Sequence, residues 1–378
     1  MPILRFALDL TWVRHKIVGG TETFVNNLIV GFIQTKADFQ LILIVAKDNA
    51  YLFKKYLTDE RITMENANIQ SASVAKRIIW QNLHLSRFML QRGIQLCLEP
   101  VYAKPLLGSR KVKWVTVIHD LEALHFPENH SRITNLWLRL SWYNTVHTSN
   151  HIISISDFVK NDIINRYHID SNSITTIYNA IMPNANEKCP FQTIAEKYGI
   201  AEKEYYYTVS KLNPHKNLST LVRVFGEIKK QQIKNIPCKL LISGVNGGMA
   251  DQLHELMNEY GLTDKDLMFT GFVNDYVRNC LYAHAKAFLF PSIFEGFGMP
   301  PIEAMYYGTP VVTTLQASIP EVTQHLANYV KDPYSVKDWI TTILHMENHV
   351  SLFDIEKYNP QRIASKYIKM LVSIKNSI

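Results

Sequence analysis

The segment Phe290-Pro291-Ser292-Ile293-Phe294-Glu295-Gly296-Phe297-Gly298-Met299-Pro300-Pro301-Ile302-Glu303-Ala304-Met305 carries the clearest architectural signal in the chain. An apolar run ending at Phe290 reads as a buried strand, and a loop bearing two glycines follows it. Pro300 and Pro301 fit the first turn of a helix, where a missing N–H costs nothing. Strand, short loop and helix in that order build parallel sheets with helices on their faces. Gly296 and Gly298 let the backbone approach a ligand closely, and the N–H groups at the helix start favour an anion. Glu295 lies in the loop mouth and Glu303 about one turn into the helix, both able to accept from vicinal hydroxyls of a sugar or ribose. The same pattern also fits a plain strand–loop–helix unit with two surface glutamates.

Outward from this segment the alternation continues to both ends. Strands are expected at 205–209, 239–243, 267–270, 287–290 and 310–313 in the second half, with helices at 218–231, 249–260, 276–284 and 300–307. In the first half strands are expected at 3–12, 41–46, 94–99, 114–119, 151–156 and 174–178, with helices at 21–34, 74–91, 133–147 and 157–167. The turn-rich run Asn179 to Asn186 breaks the periodicity and places a join near 180–202. A second cluster, Ser210-Lys211-Leu212-Asn213-Pro214-His215-Lys216, follows a strand and precedes a helix. Lys211 and Lys216, with that helix terminus, could neutralise the charge on a departing diphosphate without a metal. Two solvated loop lysines are the alternative.

The chain has 378 residues, 47 % hydrophobic and 19 % charged, the balance of a folded protein with about two cores. No apolar stretch approaches the roughly 18 residues of a membrane span, and no signal-peptide pattern opens the sequence. Cys97, Cys189, Cys238 and Cys280 stand far apart with no CxxC pair, which fits separate reduced thiols and gives no sign of structural zinc. Residues 1–185 hold 20 Lys+Arg against 14 Asp+Glu, whereas the remainder holds 20 against 19. Within 72–113, eight basic residues face only Glu99, so an anionic partner is expected on the first half.

Together the two clusters resemble the donor-binding domain of the GT-B retaining glycosyltransferases, specifically glycosyltransferase family 4. Glu295, Phe297, Gly298 and Glu303 match the family's two glutamates around a Phe-Gly core, and Lys211 and Lys216 match its basic pair. Thr270-Gly271-Phe272-Val273, Gly308-Thr309-Pro310-Val311-Val312 and Ile319-Pro320-Glu321-Val322 extend the likeness. In the first half, Gly19-Gly20-Thr21-Glu22 is similar to the glycine loop beside the donor diphosphate. Val117-Ile118-His119-Asp120-Leu121 is similar to the His-Asp segment of mannosyl- and rhamnosyl-transferring members, and segments at 154–158 and 177–180 also match. Two departures stand out: Lys211 where arginine is usual, which loses bidentate phosphate geometry, and Ser210 and Ala180 in place of glycines.

The resemblance implies an α/β chain of GT-B architecture, two Rossmann-like doubly wound domains facing across a cleft. It implies an acceptor-side domain at 1–185, a nucleotide-sugar donor domain at 200–355, and a C-terminal helix at 356–378 returning to the first. By the same route Lys211 and Lys216 hold the diphosphate, Glu303 the ribose hydroxyls and Glu295 those of the donor sugar. Backbone N–H groups of Phe297, Gly298 and Met299 contact sugar or phosphate. Gly19 and Gly20 belong to the glycine loop, where Gly20 leaves room for the donor phosphates, and His119 lines the reacting face; a histidine satisfied at a strand end is the alternative there. Catalysis is assigned to His119, Lys216 and Glu295, with retention at the anomeric carbon, no cofactor and no divalent metal.

The stretch from Lys76 to Arg92 reads either as a basic amphipathic helix on an anionic membrane, with Trp80 near the headgroups, or as a core helix with cations on its solvated side. No nucleic-acid-binding motif accompanies the basic half. The expectation is a cytoplasmic hexosyltransferase, peripheral on the inner face of the membrane. It would move rhamnose, mannose or glucose onto a glycan, soluble or polyprenyl-diphosphate-linked, for bacterial surface polysaccharide. A non-catalytic GT-B subunit that activates a partner transferase is the rival from another class, and an epimerase or phosphorylase of similar architecture the rival among enzymes.

Overall fold

The structure, a computed structural model, describes residues 3–14, 19–101, 103–182, 189–234, 236–244 and 248–376. Part of the expected join, 183–188, lies outside them. The chain divides into two compact units, Met1–Met182 with Glu356–Ile378, and Pro183–Ile355.

In the first unit the order is β1 (Leu4–Asp9), α1 (Gly20–Gln34), β2 (Phe39–Val45), α2 (Ala50–Phe53), β3 (Ile62–Asn66), α3 (Val74–Leu83), α4 (Leu85–Leu90), β4 (Leu96–Glu99), β5 (Lys113–Ile118), α5 (Glu122–His125), α6 (Arg132–Thr148), β6 (His151–Ser154), α7 (Asp157–Tyr167) and β7 (Ile174–Thr176). All seven strands pair in parallel in the order β3-β2-β1-β4-β5-β6-β7. Continuous apolar runs such as Phe39–Val45 are what a strand covered on both faces requires. The chain direction across the sheet reverses between β1 and β4, so their carboxyl ends flank a crevice of the kind that binds ligands in doubly wound sheets.

The second unit runs α8 (Phe191–Tyr198), β8 (Tyr206–Val209), α9 (Leu218–Lys230), β9 (Leu240–Ser243), α10 (Ala250–Glu259), β10 (Leu267–Gly271), α11 (Asp275–His284), β11 (Ala287–Phe290), α12 (Met299–Tyr306), β12 (Val311–Thr314), α13 (Ile319–Val322), β13 (Asn328–Val330) and α14 (Val336–Leu344). Its six parallel strands lie in the order β10-β9-β8-β11-β12-β13, and the reversal falls between β8 and β11. One face is covered by Leu221, Phe225 and Ile228 of α9 with Trp339, the other by Tyr205, Tyr207, Leu281 and Tyr282. The last helix, α15 (Pro360–Asn376), packs on α1 of the first unit, with Tyr367 edge-on to Phe32 at 6.4 Å between ring centres. A Cβ at Gly31 would strike the Pro360 carbonyl, so the two helices meet where one lacks a side chain.

The sequence pattern and the structure differ in identifiable places. The expected helix 74–91 breaks at His84, whose backbone (φ −122°, ψ −28°) leaves the helical path, and the turn that follows buries Leu85 and Met89. The first strand stops at Asp9 rather than Trp12, because the Asp9 carboxylate accepts from Thr11 N at 2.9 Å and turns the chain. The elements α2, β3, α5, α8, α13, β13 and α14 have no counterpart in the expected set.

Candidate functional site

In the second unit the two motif loops leave the carboxyl ends of the neighbouring strands β8 and β11, at the point of reversal. The β8 loop carries Lys211 and a single 3₁₀ turn, Pro214–Lys216, before α9. The β11 loop carries Glu295 and ends at Gly298, the residue before α12. Its φ of +86° lies in the left-handed region that glycine enters without steric cost. This turn aims the first N–H groups of α12, from Met299 onward, out of the loop. Phe297 is buried.

Buried hydroxyls lock the two loops. Ser318 Oγ donates to the carbonyls of Glu295 and Phe297, each at 2.9 Å. Ile293 N donates to the His215 carbonyl at 2.9 Å, and Thr314 Oγ1 to the Ser292 carbonyl at 2.7 Å. The result brings Lys216 Nζ to 2.7 Å from Glu295 Oε1, with 18 % and 13 % of the two side chains exposed. Desolvation, and then the charge on Lys216, hold the Lys211 ammonium below its usual pKa, so both cations act on the same space. An anion there would relieve their repulsion.

Glu303 stands one turn into α12, and two residues of α11 reach the same oxygen. Tyr282 Oη donates to Oε2 at 3.1 Å, and Arg278 Nε lies 3.5 Å from it. Oε1 has no described side chain as partner, so the carboxylate is held by one oxygen and offers the other. Gly244 follows β9, and a Cβ there would collide with the Ser210 carbonyl beside Lys211. Ser318, Arg278, Tyr282 and Gly244 were not singled out from sequence. Their roles depend on which strands become neighbours, and no local motif announces that.

In the first unit, Gly19 precedes α1 with φ +70°, and Gly20 opens the helix. His119 follows β5; its Nε2 carries the proton and donates to the Pro100 carbonyl at 2.8 Å, while its ring meets Phe24 of α1 edge-on at 4.6 Å. Burial lowers its pKa to about 4, against the smaller opposing effect of the Pro100 bond, so the imidazole is neutral near pH 7 with Nδ1 as its acceptor. At the reversal point of this sheet, Asp9 and Glu99 end the neighbouring strands β1 and β4. Gln81 Nε2 donates to Asp9 Oδ2 at 2.7 Å, whereas Glu99 Oε2 is buried without a hydrogen-bond partner among the described residues. Burial, and then the nearby Asp9, push the Glu99 carboxyl well above the usual range and favour its protonated form.

One expectation needs correction. The cysteines are not all separate: Cys189 and Cys280, 91 positions apart, have Cα atoms 5.4 Å apart and sulfurs in bonding contact. His284 lies beside them, and these three form the one cluster of possible metal ligands among the described residues, on the unit's α8–α11 side. Trp80 is partly covered: it packs edge-on against Phe88 and against the cluster around Leu85, Met89 and Trp114.

Residues 190–359 match the family described as "Glycosyl transferases group 1", and residues 18–184 the one described as "Glycosyltransferase Family 4". The chain is 30 % identical over 232 residues to O-antigen chain mannosyltransferase B of Escherichia coli, covering 61 % of this chain and 60 % of that protein. It is 29 % identical over 262 residues to O-antigen chain mannosyltransferase RfbU of Salmonella typhimurium, covering 67 % of each. Among solved structures, Anabaena HepE in complex with UDP superposes with a TM-score of 0.67 at 18 % identity, covering 98 % of this chain and 97 % of that one. At that identity the likeness establishes the fold, which is GT-B: two parallel-sheet α/β domains.

Proposed function

Because the chain belongs to glycosyltransferase family 4, among the group 1 glycosyltransferases, we propose that it transfers a hexose from a nucleotide diphosphate sugar to a glycan in bacterial surface-polysaccharide synthesis. The observation that carries this reading is the convergence of Lys211, Lys216, Glu295 and the start of α12 between β8 and β11. The relatives named for mannose transfer favour mannose among the mannose, rhamnose and glucose types.

In this mechanism the diphosphate lies against Lys211, Lys216 and the first N–H groups of α12. As the glycosidic bond to the diphosphate lengthens, negative charge grows on the leaving oxygen, and fixed cations stabilise that charge most in the transition state. Lys216 is the nearer participant, since Glu295 holds its ammonium in the loop mouth. Glu295 retains lone pairs for the sugar hydroxyls, and Oε1 of Glu303 accepts from the ribose. Neutral His119 is assigned to the sugar's reacting face, where Nδ1 accepts a hydrogen bond from a hydroxyl. Departure and attack on one face give retention, with the acceptor hydroxyl's proton passing to the departing diphosphate oxygen, and the lysines do the work that a divalent ion does elsewhere. The acceptor is lipid-linked and the enzyme peripheral on an anionic membrane surface.

The test is a thermal-shift screen against UDP-, GDP-, dTDP- and ADP-sugars, since a ligand that binds only the folded state raises Tm by mass action. One donor should stabilise the protein, and the purified chain should hydrolyse it slowly, with chelator present and the product anomer unchanged. Stabilisation without hydrolysis would favour the non-catalytic subunit. Activity lost to chelator would replace the lysine mechanism with a metal-dependent one.

A further inference from the structure

Of the eight cations in residues 72–113, four are engaged by the fold itself. Arg77 Nη1 donates to the Trp12 carbonyl at 3.3 Å, Arg92 pairs with Glu65 at 2.8 Å, and Lys113 Nζ donates to the Ile374 carbonyl at 2.8 Å. Lys104 is buried. Trp80 is partly covered as well, so α3 and α4 keep fewer free cations than their sequence indicates, although α3 still exposes Val74, Ile79 and Leu83.

An exposed apolar surface lies on α6. Ile133, Leu136, Leu140 and Tyr143 are 84 %, 61 %, 53 % and 60 % exposed, while Ser141, Trp142, Thr145 and Val146 are buried. Spacings of three and four place the exposed four on one stripe, opposite the buried side. A solvated helix normally shows its polar side to water; α6 shows its apolar one. Arg132 and Arg139 lie along one edge of the stripe, and the helix holds no Asp or Glu. Folding cannot account for this stripe, because the helix docks through its other side.

We propose that α6 is the surface that seats the protein on an anionic lipid bilayer, with the stripe at the level of the acyl–headgroup boundary and Arg132 and Arg139 on lipid phosphates. An apolar stripe edged by cations on a helix without carboxylates is the pattern of helices that lie in such an interface. A two-fold pairing with a second copy suits it less well. The arginines of both copies would then share one seam, and the helix offers no carboxylate to meet them. The segment beside the helix shares this character. Lys104 N bonds Thr145 Oγ1 of α6 and Leu106 N bonds Asn82 Oδ1 of α3, which presents Leu107 at 66 % exposure between the two helices. The inference rests on the peripheral-membrane reading above and narrows it to one surface.

The test is co-sedimentation of the full chain with vesicles of phosphatidylglycerol and phosphatidylcholine, and with phosphatidylcholine alone. Compared are wild type, Leu136→Asp/Leu140→Asp, Arg132→Glu/Arg139→Glu and Lys76→Glu/Arg87→Glu. Both α6 pairs should weaken binding to anionic vesicles at least about tenfold, the arginine effect following from roughly fivefold per surface cation with reversal adding repulsion. The Lys76/Arg87 pair should lose less. Melting temperature and donor hydrolysis without vesicles should stay at wild-type values, and Tyr143→Trp emission should shift to the blue on anionic vesicles. Wild type that ignores anionic vesicles overturns both the membrane reading and this inference. Wild type that binds while the α6 pairs bind equally overturns the assignment to α6 alone. If the α6 pairs instead convert a dimer to a monomer with no change on vesicles, the stripe covers a second copy and the lipid proposal is wrong.

Discussion

Replacing Lys216 with methionine removes the cation and keeps the length of the stem, leaving Glu295 with 13 % of its side chain exposed and no ammonium at 2.7 Å. Fully exposed pairs contribute about 0–1 kcal/mol, and breaking a fully buried pair costs about 3–5 kcal/mol. With both side chains mostly covered, the expected loss is about 2 kcal/mol, or about 4–8 °C in Tm for a unit of this size. Glu295→Gln should cost less, because Lys216 can extend toward water. The double variant Lys216→Met/Glu295→Gln should be more stable than the sum of the single losses by about 1–2 kcal/mol. Turnover behaves differently. Lys216→Met and the double variant should both lose roughly 10² in donor hydrolysis, since restored stability does not restore the charge facing the leaving phosphate. Denaturant melts of the four proteins and an assay of nucleoside diphosphate release measure both quantities. Additive melts, within about 0.5 kcal/mol, together with wild-type turnover in Lys216→Met, would refute the pairing and the role at once.

Glu303→Ala should raise KM for the donor with little change in kcat, and Tyr282→Phe should move KM the same way by less; a fall in kcat alone would contradict the ribose role. Gly244→Ala should push the Ser210 carbonyl aside, costing about 1–3 kcal/mol and weakening donor binding, whereas unchanged melting and KM would show that the loop can give way. His119 has a folded pKa of about 4 against about 6.5 unfolded, so its contribution is complete above pH 6.5 and fades as pH falls toward 4. It amounts to at most about 3 kcal/mol, less because part of the ring meets water; the Tm gap between wild type and His119→Asn should therefore narrow across that window, and a gap that widens would reverse the assignment.

The β11–α12 loop was legible because its signals are local: two prolines that admit only the start of a helix, and glycines where the chain must turn. The basic pair was legible for the same reason. What stayed hidden depends on pairing across the sheet. Asp9 and Glu99 become neighbours only because β4 adds beside β1, and Arg278 reaches Glu303 only because α11 and α12 flank the same strand. Cys189 and Cys280 meet across 91 positions with no motif to join them. Strands as short as Asn328–Val330 carry too few residues to show a period. On α6 the apolar residues were read correctly as helical, but periodicity gives a stripe without saying which way it faces.

The placement of α15 has a consequence for synthesis. Residues 356–376 leave the ribosome after the whole second unit, yet they complete the first, covering Phe32 and filling the gap at Gly31. The first unit is therefore discontinuous in time as well as in sequence. Its α1 face stays open while some 170 intervening residues are made and folded. Cooperative closure waits for the last helix, so a nascent chain stalled after residue 355 should carry a folded second unit and an unfinished first one.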